Sequence, residues 1–125
     1  MTVTRTEQSD EESRVLSQAV ATIAQHWRLT NEQLAEVLGV STASVSRLRS
    51  GGFRLERGSK PFELGQYLVR LFRGLDAIMG SDDAAAQSWL RTVNLDLGAR
   101  PLDLIGSIKG LTQTCDYVDA FRARV

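Results

Sequence analysis

The chain of 125 residues contains one cysteine, one histidine and two prolines. A single cysteine, Cys115, closes no intramolecular disulfide and builds no cysteine-rich zinc site. It points to a reducing compartment, hence the cytoplasm. A single histidine, His26, leaves no second imidazole for a metal pair and no triad to assemble. Long apolar runs are missing too. The longest stretch without a charge, residues 15–27, holds Ser17, Gln18, Thr22, Gln25 and His26, and is too short and too polar to span a bilayer. The first fourteen residues are polar and partly acidic, without the apolar segment of a secretory signal. Gly51-Gly52 and Gly58 lack the Gly-Lys-Ser/Thr ending and the preceding strand of a phosphate loop. Asp82-Asp83 is more simply a helix cap than a metal or acid–base pair. These absences argue against an enzyme and imply neither cofactor nor metal.

What is present is ordinary for a globular chain: 42% hydrophobic and 24% charged residues, enough to bury a core without disulfides. The length suits one domain, or two small ones sharing a core. Net charge is zero but unevenly spread. Residues 1–13 carry one base and four acids, residues 14–73 nine bases and four acids, and residues 74–125 five bases and seven aspartates. A basic middle between acidic flanks suggests an anion-binding face; the alternative is an unevenly charged, solvated surface.

The periodicity is helical throughout, so the expected fold class is all-α. Residues 1–9 read as a disordered terminus, with a first helix from Ser9 or Asp10 and an apolar stripe of Leu16, Ala19, Val20, Ile23 and Trp27. Thr30 to Gln33 is a capping box for a second helix that ends at Gly39. Ser41 caps a third, ending at Gly51-Gly52. Residues 51–60 form a loop or a very short hairpin. A long helix follows from Pro61, with the strongest stripe in the chain: Leu64, Tyr67, Leu68, Leu71, Phe72, Leu75, Ile78 and Met79. It would span about 28 Å, and its wide stripe suits packing on two partners, one the helix-turn-helix and the other a second copy of the chain. Gly74 on this stripe permits close helix approach. Ser81-Asp82-Asp83 opens a helix to about Thr92, with Trp89 and Leu90 as core. Residues 94–100 make a turn region. Pro101 starts a short helix to Ser107, and Gly110 separates it from a last helix whose apolar face is Leu111, Cys115, Val118 and Phe121. His26 reads as a boundary or surface residue.

Residues 31–50 carry a helix-turn-helix pattern. Leu34, Ala35 and Leu38 face inward from the first helix, Gly39 sits at the turn, Val40 plugs it, and Val45 and Leu48 face inward from the second. Ala35 is small where two helices cross. The run Leu38-Gly39-Val40-Ser41 with Val45-Ser46-Arg47-Leu48 resembles the Xre-type, phage-repressor-like helix-turn-helix. With Val45 and Leu48 buried, Thr42, Ala43, Ser46 and Arg47 point outward near the helix start, the part that enters a major groove in this motif. Arg47 suits guanine O6/N7 and Ser41 or Thr42 a phosphate or base, while Arg49, Arg54 and Arg57 suit phosphates. The competing reading is a helix pair that merely packs.

A second resemblance lies downstream. Trp89-Leu90, Asn94, Leu97-Gly98, Pro101-Leu102-Asp103-Leu104 and Gly110 look like the toxin-binding domain of the Xre/MbcA/ParS antitoxin family. Val93 stands where that pattern usually has proline. With the helix-turn-helix, the resemblance covers most of residues 12–125. It implies four segments: a terminus (1–9), a DNA-binding unit (10–60), a connecting and dimerising helix (61–80) and a toxin-binding unit (81–125). It implies an antitoxin of a type II toxin–antitoxin pair, whose partner is a RES- or ParT-like toxin similar to ADP-ribosyltransferases and acting on NAD. Such antitoxins form homodimers and larger toxin complexes, block the toxin's active site with their C-terminal region, and repress their own promoter. Carried onto this chain, the toxin-facing candidates are Arg100, Lys109, Arg122, Arg124 and Val125. Two arginines and a carboxylate at a helix end suit a polar, phosphate-binding pocket; alternatively they are solvated and complement the helix dipole. A stand-alone regulator, or an adaptor with a vestigial helix-turn-helix, would share the same helices.

Overall fold

The computed structural model describes residues 4–124. Seven helices follow one another among them: α1 (Arg5–His26), α2 (Asn31–Leu38), α3 (Thr42–Ser50), α4 (Lys60–Met79), α5 (Asp83–Arg91), α6 (Pro101–Leu104) and α7 (Ile108–Ala123). No strand occurs among the described residues, so the segment between α3 and α4 is a loop and not a hairpin. The all-α expectation holds.

Each start has a local cause. Thr30 accepts the Gln33 N–H, and the Gln33 side chain accepts the Thr30 N–H in return, which opens α2. Ser41, Ser59, Asp82 and Ser107 cap α3, α4, α5 and α7 through their side-chain oxygens. The first helix begins earlier than expected. Thr4 and Glu7 form a second capping box, so α1 starts at Arg5, and residues 4–9 are not a disordered tail. Residues 1–3 lie outside the described residues.

One continuous core runs through the chain, with Trp27, Leu34, Leu38, Leu68, Leu71, Leu75, Leu90, Ile105 and Leu111 almost fully buried. The long helix α4 is its axis. α1 and α2 pack on one part of it, and α7 packs on another, more extensively than either of them alone. The second partner of the α4 stripe is therefore α7 of the same chain, where a second copy was expected. At Gly74 the two helices nearly touch: an added Cβ would lie 2.7 Å from Val118 Cγ1. Arg70 clamps the edge of this contact by pairing with Asp119 and, at 3.4 Å, with Asp116.

Two further corrections concern the C-terminal corner. Gly110 does not separate two helices; it lies in the first turn of α7, which Ser107 caps. A Cβ there would meet the Leu104 carbonyl oxygen at 1.9 Å, so the glycine serves the tight passage from α6 into α7. Phe121 is not part of the buried face, being 44% exposed. Trp89 is half-buried against the core and Leu90 is fully inside.

Candidate functional site

The outward face of α3 is the first candidate surface. Val45 and Leu48 are buried, while Ser41, Thr42, Ala43, Ser46, Arg47 and Arg49 are exposed. The cap orders the start of this helix. Ser41 Oγ accepts the Ser44 N–H at 3.1 Å and donates to Ser44 Oγ at 3.0 Å. Arg47 Nη2 donates to the same Ser44 hydroxyl at 3.2 Å, and its guanidinium carbon lies 5.9 Å from the centre of the Phe53 ring. Five of the seven DNA-facing candidates (Ser41, Thr42, Ala43, Ser46 and Arg47) thus share one exposed helix face.

The remaining basic residues divide. Arg49 Nη2 donates to the Leu29 carbonyl at 2.6 Å, tying α3 to the turn between α1 and α2. Arg57 pairs with Glu12 at 2.6 Å, and Arg14 pairs with Glu11. The acidic start of α1 therefore neutralises part of the basic middle, a pairing that segment-by-segment charge counting hides. Hydrogen bonding to Arg14 also holds the Glu11 carboxyl below its ordinary range. Arg54 is exposed and makes no ion pair among the described residues. It lines an open groove of about 620 Å³ between α1 and the end of α3, together with Arg14 and Arg49. Two buried serines on α1 fix the loop that carries Arg54: Ser17 Oγ accepts the Leu55 N–H at 2.8 Å, and Ser13 Oγ accepts the Arg57 N–H at 3.1 Å.

The second candidate surface lies between α5 and α7. Asn94 builds its loop. Its side-chain oxygen accepts the N–H groups of Asp96 and Leu97, its own N–H reaches the Ala99 carbonyl, and its carbonyl accepts the Gly98 N–H. Tyr117 Oη donates to Asp96 at 2.8 Å and pins this loop to α7; that bond raises the phenol's pKa. The loop holds Leu95 94% exposed, and Val93 and Ile108 are also largely exposed. These are the most exposed large apolar side chains of this half of the described chain. The sequence reading missed them because a polar loop motif gives no periodic signal for an outward leucine.

The polar toxin-facing candidates are scattered over this half. Arg100 forms a two-pronged pair with Asp103, both bonds at 2.9 Å, which keeps the Asp103 carboxyl below its usual range. Lys109, Arg122 and Arg124 are exposed. Val125 lies outside the described residues. Arg100 stands at the start of α6, Lys109 in the first turn of α7, Arg122 in its last turn and Arg124 at its C-cap. His26 is half exposed, as expected, and pairs through Nδ1 with Asp83 Oδ2 at 2.7 Å. Asp82 caps α5, as expected of this acidic pair. Cys115 is buried against the Tyr67 carbonyl, and burial pushes its thiol up to about 11. Among the described residues no cluster of histidine, cysteine or acidic side chains suits a metal, and no helix is long and apolar enough to cross a membrane.

A capped helix pair with an exposed α3 face, joined through α4 to a small helical unit, defines a helix-turn-helix protein with an attached helical unit. Comparison with protein families bears this out. Residues 8–70 match the antitoxin Xre-like helix-turn-helix domain, and residues 74–124 match the antitoxin Xre/MbcA/ParS C-terminal toxin-binding domain. The chain belongs to this antitoxin family, and neither domain is an enzyme family. Comparison with curated proteins returned no match.

Proposed function

We propose that the chain is the antitoxin of a type II toxin–antitoxin pair, neutralising an NAD-acting, RES- or ParT-like toxin and repressing its own promoter. The observation that carries this reading is the joining, in one chain, of both matched antitoxin domains, with the exposed α3 face in one and the exposed Leu95 loop in the other. In this division of labour residues 10–60 contact operator DNA, residues 61–80 connect and residues 81–125 contact the toxin. Ser41, Thr42, Ala43, Ser46 and Arg47 face the groove, and Arg54 faces a phosphate. Arg49 contributes by holding α3 in place, with spare N–H groups for a phosphate. Arg100, Lys109, Arg122, Arg124 and Val125 meet the toxin together with Leu95. A homodimer would suit an operator of two half-sites.

The direct test is affinity purification of the tagged chain at its native level, with mass spectrometry of what accompanies it. A single stoichiometric partner with the sequence of a RES- or ADP-ribosyltransferase-like enzyme is expected, and the purified partner should consume NAD until the chain is added. A lone homodimer with DNA as its sole ligand would overturn the antitoxin reading and leave a stand-alone regulator.

A further inference from the structure

Among the five candidates on the exposed α3 face, the side chain with the longest reach, Arg47, is not free. An exposed arginine samples many rotamers, and ordering it on contact costs entropy. Here two groups restrain it before any contact. Ser44, one turn earlier on α3, accepts from Nη2 at 3.2 Å, and Phe53 lies within cation–π distance at 5.9 Å. The Ser44 bond draws the guanidinium toward the capped start of α3.

Phe53 reaches this position because the chain reverses after α3. Gly51 ends the helix with a left-handed backbone at φ 87°, and the Gly52 N–H donates to the Arg47 carbonyl at 2.7 Å. The ring is itself anchored: Phe53 is half-buried on the core, and two residues on, Leu55 is buried and bonded to Ser17. The platform under Arg47 is therefore part of the folded body. A ring 5.9 Å away and one bond to Ser44 leave further N–H groups, enough for a two-pronged contact with guanine O6 and N7.

We propose that Phe53 is a positioning residue for base reading: with the Ser44 hydroxyl, it holds the Arg47 guanidinium ready for one guanine in the major groove. The proposal rests on the DNA-binding reading above and adds a residue outside the helix-turn-helix pattern.

The test is selection of duplexes from a randomised pool by the full-length chain and its variants, with base preference read position by position. The wild-type chain should select a motif containing a G·C pair whose preference Arg47→Ala flattens. Phe53→Leu keeps bulk but lacks the ring. It should soften preference at that same pair by about two- to fivefold and leave the other pairs unchanged. Phe53→Tyr should restore it, and Ser44→Ala, which leaves the ring in place, should soften the same pair. Were Arg47→Ala to flatten a pair that Phe53→Leu and Ser44→Ala leave alone, the positioning role would be overturned while DNA reading stands. Equal softening at every pair would reduce Phe53 to a structural residue and overturn the proposal. The absence of any selected motif, or of any effect of Arg47→Ala, would remove the base-reading role of Arg47 and the proposal with it.

Discussion

Arg91 on α5 donates from Nη2 to the Trp27 carbonyl at 2.9 Å and to the Arg28 carbonyl at 3.1 Å. Its neighbour Gln87 donates to the His26 carbonyl at 2.8 Å, and Arg49 on α3 donates to the Leu29 carbonyl at 2.6 Å. Four consecutive carbonyls, from the last residue of α1 through the turn to α2, thus accept side-chain bonds, three from Gln87 and Arg91 of α5 and one from Arg49 of α3. The preceding carbonyls of Ile23, Ala24 and Gln25 are met by backbone N–H groups, so the side chains take over where the helix runs out. Arg28 is held there with a left-handed backbone, φ 54°, uncommon outside glycine. A single turn therefore joins α5, in the C-terminal half, to α3, which carries the proposed DNA-facing residues.

Removing Arg91 should loosen that joint. Arg91→Ala leaves two carbonyls without their donor beside the fully buried Trp27, and should cost about 1–3 kcal/mol of stability in urea unfolding. Gln87→Ala, which removes one neutral donor, should cost less. Equal stability of Arg91→Ala and the wild type would mean that water replaces the guanidinium without loss.

Close approach between helices gives a sharper contrast. Gly74→Ala would press a methyl group into the Val118 side chain and should cost about 1–3 kcal/mol. Combining it with Val118→Ala should recover part of that cost relative to the summed single effects, because the clash disappears. Gly110→Ala meets a backbone carbonyl instead of a side chain, so no partner mutation relieves it. Thermal melts should rank it below Gly74→Ala.

Cys115 allows a check by pH. Burial raises its thiol to about 11 from an ordinary value of 9.0. The folded state therefore favours the protonated thiol. Stability from this group is complete below about pH 9 and declines as pH rises from there toward 11, where the unfolded chain alone is readily ionised. Native protein at pH 8 should react slowly with a thiol reagent, and denaturant should speed the reaction sharply. Fast labelling of the folded chain would contradict the burial.

Much of this was legible in the sequence, and the reasons are local. The Thr30–Gln33 box, the Gly39 turn and the Val45/Leu48 spacing each encode their geometry within a few residues, so the α2–α3 pair read correctly. The Leu64–Met79 stripe announced a helix with two partners, yet periodicity measures the width of an apolar face and not the identity of what covers it; the cover is α7. The Thr4–Glu7 box was overlooked because polar termini usually fray. Gly110 resembled a helix breaker because the Leu104 carbonyl that requires it belongs to another element. Ion pairs such as Glu12 with Arg57 and the set of donors on residues 26–29 join distant segments, which no local pattern encodes.

The two ends of the proposed toxin-facing half make separable predictions. Leu95 is almost wholly exposed on a loop held by Asn94, so Leu95→Asp removes no core packing and should change the melting temperature little. If the loop seats against the toxin, the buried charge left unpaired in the complex should weaken binding at least tenfold in titration calorimetry with the purified toxin. Deleting residues 123–125 tests the other end. Arg124 lies beyond the helical residues of α7 and is exposed, so the fold should survive the cut. If this end blocks the active site, the shortened chain should still bind toxin through the Leu95 loop yet fail to stop NAD consumption, while its DNA binding stays intact. Full inhibition by the shortened chain would assign neutralisation to the loop face alone, with Arg122 and Arg124 left as solvated charges that complement the dipole of α7.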